Sequence, residues 1–289
     1  MLETKEINAL FTLIDDPDEE VYNTVSNRII GFGKDIIPNL ENLWESTLNE
    51  VIQNRVEMII HRLQFSDLKE NIKDWSCSTA NDLLTGALLV SKFQYPLLNT
   101  TTVLQEFEKI RRNVWLELNN YLTPLEQANV LTSIIYNYYN LKGGEVNYTI
   151  PDEFFLHKIL ETKRGNAISN GILYQIVCEQ LEINAKIINI PKQMVIAFYH
   201  KNQNLAELDK NPQEKILFFV DGVNGHAYGH KDIDAYFKRI SVPPVPAYFK
   251  PISHKRIIQI LLDETSKCFK DLDNLYKYEE LQQLVKLLE

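Results

Sequence analysis

Apolar residues recur every three or four positions through most of the first half of the chain, the spacing that places them along one side of a helix. Asp16-Pro17-Asp18-Glu19 supplies a capping acid, a proline suited to a first helical position and a glutamate three residues after the cap. Val21, Val25, Ile29 and Ile30 follow on one side, and Gly31-Phe32-Gly33 ends the helix where a left-handed turn suits glycine. Ile36, Ile37, Leu40, Leu43 and Trp44 begin a second helix, and Val51, Ile52, Val56, Ile59, Ile60 and Leu63 form a third stripe. The run from Asp15 to Leu40 has the form of one HEAT-type helical pair; a single copy predicts a hairpin within a helical lobe and not a solenoid, which needs about three stacked units. Further helices are predicted over 79–92, 102–120 and 123–139. The last opens on Thr123-Pro124-Leu125-Glu126, a hydroxyl cap followed by proline and a reciprocating glutamate.

Gly143-Gly144 interrupts this pattern, and the period then changes. Pro151-Asp152-Glu153 opens a short helix to about Thr162, and Ile168, Ile172, Ile176, Val177 and Leu181 mark another. Residues 185–190, 194–199 and 215–221 are short, β-branched or aromatic runs and read as strands. Val242-Pro243-Pro244-Val245-Pro246 reads as an extended linker, and 253–289 as two helices packing back on the body. The expected class is α+β: a helical lobe over 1–140 with a HEAT-like hairpin, a core of one helix against an antiparallel sheet over 141–250, and a C-terminal helical pair over 251–289.

Composition narrows the partners. The chain has 289 residues and a formal net charge of −9. This disfavours binding to a phosphate backbone, and Arg111-Arg112 and Lys255-Arg256 are isolated pairs. Cys77, Cys178 and Cys268 are odd in number and form no CxxC pair, so neither a disulfide framework nor a zinc site is expected. The start, Met1-Leu2-Glu3-Thr4-Lys5-Glu6, reads as no signal peptide, and no apolar run reaches the roughly 18 residues of a membrane span. A cytoplasmic protein without cofactor, membrane or nucleic-acid partner is expected.

The chemistry concentrates in residues 164–221. A loop, Arg164-Gly165-Asn166, enters a helix; two apolar strands follow, and Asp221 ends the second. A thiol at such a helix start is stabilised as thiolate by free amides and the helix dipole. A histidine on one neighbouring strand can exchange its proton, and an aspartate on the next can fix the imidazole.

The residues themselves resemble those of the SirB-type regulator family, a bacterial branch of the transglutaminase-like superfamily. Arg164-Gly165-Asn166-Ala167-Ile168-Ser169 and Gly171-Ile172-Leu173-Tyr174 are similar to its R-G-x-P-I-S-L-x-I-L-Y signature. Pro191-Lys192-Gln193 stands where the family has P-G-H or P-T-Q, and Val220-Asp221-Gly222-Val223-Asn224-Gly225 resembles its I-D-P-F-N-G. The resemblance implies a transglutaminase-like, papain-like core with degenerate triad positions Ala167, Gln193 and Asp221. Ala167 takes the place of the nucleophilic cysteine, where the family usually has proline; Gln193 takes that of the histidine. Alanine has no nucleophile, and a glutamine amide is no base near neutral pH.

Other side chains are candidates to substitute. Asn166, Ser169, Tyr174 and His226 are the candidate cleft residues. Ser169 is either a nucleophile in search of a base or a partner for free amides in the first helical turn. Cys178 lies on the apolar side of the helix and reads as a buried structural thiol. His226 and His230, near Asp232 and Asp234, invite a metal reading, but Gly225 and Gly229 favour a turn or hairpin without a metal. His157 and His200 are expected at the surface or an edge, and His61 and His254 on helices elsewhere. The expected function is that of a non-catalytic, binding or regulatory protein with an unknown protein or peptide partner. The alternatives are a residual peptide or amide hydrolase or acyltransferase using Ser169 or a nearby histidine, and a structural helical adaptor.

Overall fold

The computed structural model describes residues 4–203 and 211–289; Met1-Leu2-Glu3, read above for a leader, lie outside the described residues. The chain divides into two compact units, Met1–Asp74 and Trp75–Glu289.

The first unit is helical: α1 (Thr4–Thr12), α2 (Glu19–Ile30), α3 (Ile37–Ser46) and most of α4 (Glu50–Cys77). Its core is Val25, Ile29, Ile36, Leu40, Val56, Ile59 and Leu63, from the stripes read in the sequence, with Ile7 and Ile14, which that reading did not include. The cap of α2 lies two residues beyond the expected one. Asp18 accepts from the Glu20 amide, while Asp16 accepts from the Asp18 amide at 2.9 Å. Gly33, not Gly31, takes the left-handed backbone, at φ 76°.

The second unit begins with α5 (Leu83–Gln94), α6 (Thr100–Glu117) and α7 (Pro124–Thr132), the last continuing as a π-helical turn, Ser133–Tyr138. Thr123 and Glu126 close the capping box that their spacing predicts. The break at Gly143-Gly144 is local: β1 (Lys142–Gly144) runs parallel to β2 (Arg164–Asn166), with α8 (Leu156–Thr162) between them in sequence. Then come α9 (Ala167–Gln180), β3 (Ala185–Ile190), β4 (Gln193–Tyr199), α10 (Pro212–Lys215), β5 (Ile216–Asp221), β6 (Ala227–Tyr228), α11 (His230–Ile240), α12 (His254–Ser266) and α13 (Leu275–Leu287). Strands β3 to β6 form one antiparallel sheet in sequence order. The α+β class, with helices first, then a helix-plus-sheet core and a final helical pair, is the one expected. Among the described residues no helix is long and apolar enough to cross a membrane.

Helix α9 is central. Every residue from Ile168 to Cys178 is buried, the polar Ser169, Asn170 and Gln175 included. Tyr174 meets Phe198 of β4 edge-on at 6.3 Å, and Phe198 stacks on Phe218 of β5 at 4.7 Å, so these residues mark the sheet face turned to α9. Side chains alternate along a strand. The other face therefore carries Val195, Ala197, Tyr199 and Phe219, which pack with Ile233 and Phe237 of α11 and with Phe249.

Candidate functional site

The start of α9 is built from a reciprocal cap. Asn166 Oδ1 accepts from the amides of Ile168 (3.0 Å) and Ser169 (3.1 Å), and Ser169 Oγ accepts from the Asn166 amide (3.1 Å). The Ser169 hydroxyl then donates to the Glu153 carbonyl at 2.7 Å, which also receives Asn166 Nδ2 at 3.2 Å. Asn166 is 0 % and Ser169 2 % exposed, so neither lines an open cleft. Among the described residues no histidine nitrogen bonds to Ser169, and its hydroxyl is committed to a carbonyl, which leaves it no activating base. Tyr174, the third cleft candidate, is also buried, its hydroxyl 3.3 Å from the Ala128 carbonyl.

Ala167 is the first residue of α9 and is half-buried. Its neighbour in space is Gly222: a Cβ built there would fall well inside contact distance of the Ala167 carbonyl oxygen and 2.9 Å from the Gly171 amide. The backbone thus brings positions 167 and 221–222 together. The Asp221 carboxylate turns onto its own loop, accepting from the amides of Val223 (2.8 Å) and Asn224 (2.9 Å). This loop is docked on the end of α7 and the π-helical turn that follows it: Tyr136 of the turn donates to the Gly222 carbonyl (3.0 Å), and Thr132 of α7 to that of Gly225 (2.9 Å). Burial, reinforced by the nearby Asp221 charge, pushes the Tyr136 phenol up and keeps it a neutral donor. The Tyr228 phenol is raised by the same two causes in the same order.

Gln193 opens β4 and is exposed. Val195 pairs with Asp221, so alternation places Gln193 and Asp221 on one sheet face, the one packed on α11. Tyr236 of α11 donates to the Pro191 carbonyl at 2.7 Å and holds the β3–β4 turn that presents Gln193. None of the described hydrogen bonds joins Gln193 to Asp221.

The histidines sort differently from expectation in two cases: His157 is buried, and His230, expected in a turn or hairpin, opens α11. His226 is exposed on the β5–β6 hairpin, where Gly225 has φ 70°, and His230 Nε2 lies 2.8 Å from the Ile216 carbonyl at the start of α11. His200 is exposed, but His157 is 4 % exposed, and neither ring nitrogen has a partner among the described residues. Apolar packing outweighed its polarity: its ring meets Tyr95 edge-on at 4.5 Å. Cys178 is buried as expected, and burial pushes its thiol up, away from thiolate.

Three residues that shape this region carry no sequence signal of their role. Glu153 offers its carbonyl to the α9 cap, and Tyr136 holds the Asp221 loop. Asn170 is fully buried against Gly165, with no hydrogen-bond partner for its amide among the described residues.

The family model of the transglutaminase-like superfamily matches residues 101–263, which run from α6 into α12. The chain is similar to protein SirB1 of Salmonella typhimurium (strain LT2) and to protein SirB1 of Salmonella typhi, 20% identical to each over 185 residues. The match covers 63% of this chain and 64% of each relative, so it spans less than two thirds of their length. No solved structure matches.

Proposed function

The chain belongs to the transglutaminase-like superfamily, and from that premise we propose that it is a non-catalytic member, resembling the SirB branch, that acts by binding a peptide or protein partner. One observation carries this reading: the groups that stand at or near the three chemical positions are either inert or spent on structure. Ala167 offers no nucleophile and Gln193 no base, while the Asp221 carboxylate caps its own loop. Ser169, whose hydroxyl stands in the first turn of the helix, is buried and bonded to Glu153. The first unit exposes Leu13, Trp44, Leu48, Val51 and Met58, which supports a partner-docking role for the helical, HEAT-like part of residues 1–140. Three free cysteines, with Cys77 exposed, support the reading of a protein from a reducing compartment such as the cytoplasm.

The test is turnover. Purified wild-type protein incubated with a glutamine-containing peptide and a primary amine is expected to give neither ammonia release nor amine incorporation. Hydrolysis or transfer that disappears in Ser169→Ala, with the variant still folded by circular dichroism, would establish the hydrolase reading in its place.

A further inference from the structure

A cavity of about 480 Å³ lies beside the start of α9, lined by Asn140, Lys142, Gly143, Gly144, Glu153, Thr162, Lys163, Arg164 and Gly165. We propose that it binds a peptide through a carboxylate group, which deepens the binding role proposed above and rests on it. Charge is the first argument. Three cations, Lys142, Lys163 and Arg164, meet one carboxylate, Glu153, in a chain whose net charge is −9. Arg164 is only loosely held: its Nε lies 4.0 Å from Glu153, and its side chain is 70% exposed. Its guanidinium fork is free to take a carboxylate with two parallel hydrogen bonds.

The glycines give the second argument. Where Lys142–Gly144 pairs with Arg164–Asn166, the wall is glycine backbone. Packing accounts for two of the three. A Cβ at Gly143 would sit 2.7 Å from the Val223 Cα, and one at Gly165 would sit 3.0 Å from Ser169 Oγ, with Asn170 Oδ1 closer still. Gly144 has no such reason: its φ is not left-handed, and a Cβ there would meet nothing within 4 Å. Glycine weakens a strand by about 0.5–1 kcal/mol relative to alanine, and here it leaves the cavity open and its backbone bare for an extended chain. A volume in the range of small-ligand sites suits a few residues of peptide.

The experiment titrates the full chain with N-acetyl-Gly-Gly-Glu, with the same peptide carrying Gln and a C-terminal amide, and with inorganic phosphate, followed by NMR or calorimetry. The acidic peptide is expected to bind saturably, at least tenfold more tightly than the uncharged one and more tightly than phosphate, and to weaken as salt rises. Lys142→Glu combined with Lys163→Glu should weaken it at least tenfold. Gly144→Phe, whose Cβ would meet nothing within 4 Å and whose ring adds bulk at the cavity wall, should abolish it. No saturable binding, equal binding of the uncharged peptide, tighter binding of phosphate, or binding indifferent to Gly144→Phe would each overturn the proposal. The peptide is recovered afterwards: capture with cleavage sinks the non-catalytic reading alone, and an intact but uncaptured peptide sinks this one alone.

Discussion

Replacing Gly222 with alanine tests the geometry on which the site rests. The added methyl would sit 2.9 Å from the Gly171 amide nitrogen and 3.1 Å from the Ala167 carbonyl carbon, with the Ala167 oxygen nearer still. Beyond its own residue and chain neighbours, a real Cβ essentially never has a heavy atom within 3.0 Å. All three obstacles are backbone of the first turns of α9, so none can rotate away as a flexible side chain would. Relief requires moving the loop, and the loop is fixed by Tyr136, Thr132 and the Asp221 carboxylate. Forced overpacking of this kind costs about 1–3 kcal/mol; loss of the Tyr136 bond on displacement adds about 1 kcal/mol. Urea titration should therefore show a lower midpoint at an unchanged slope. A melting point lower by several degrees should accompany it, at about 2–4 °C per kcal/mol for a domain of this size. Gly144→Ala is the internal control and should be neutral or stabilising. If Gly222→Ala matches wild type in both measurements, positions 167 and 222 do not touch, and the convergence of the helix start with the Asp221 loop is wrong.

Ser169→Ala should cost about 1–3 kcal/mol in urea, because it strips a buried cap and leaves the Asn166 amide without its acceptor. Burial lowers the His157 imidazole below its ordinary value of about 6.5, so its contribution to stability is intact above that pH and is lost as pH falls through the folded value. Midpoints measured at pH 7.5 and pH 5 should fall toward acid, and His157→Phe should flatten the slope. His254 behaves oppositely. Its Nδ1 faces the Asn81 carbonyl (2.8 Å) and its Nε2 the Glu179 carboxylate (2.9 Å), two acceptors that require both ring protons. The Glu179 hydrogen bond raises it, against burial, so its stabilisation is full below about pH 6.5 and is lost as pH rises through the raised folded value. Glu179→Gln should remove that alkaline loss, read as urea midpoints between pH 6 and pH 9. Burial alone would raise Glu179 itself, but hydrogen bonds from His254 and Lys186 hold it down to about 2.

The elements with strong local signals were legible from the sequence. Thr123-Pro124-Leu125-Glu126 gave the start of α7, and the β-branched runs gave β3, β4 and β5 to within two residues. The C-terminal pair followed from its leucine stripes. Elements without a local signal did not show: β1 and β2 are three-residue, glycine-bearing strands that exist only because they pair with each other. The cap of α9 was half read. Ser169 reads as a partner for free amides and does accept that of Asn166, while Asn166 takes those of Ile168 and Ser169. An Asn-x-x-Ser box lacks the Glu or Gln by which such boxes are recognised. The docking of Gly222 on Ala167 joins segments far apart in sequence, and no local pattern encodes it.

The Glu153 carbonyl, shared by the Ser169 hydroxyl and the Asn166 amide, ties the acid that borders the cationic cavity to the opening turn of the buried helix. Anything that settles in the cavity and steadies Glu153 also steadies that turn. Occupancy should then be readable from a distance, as slower deuterium uptake at the amides of Ile168 and Ser169.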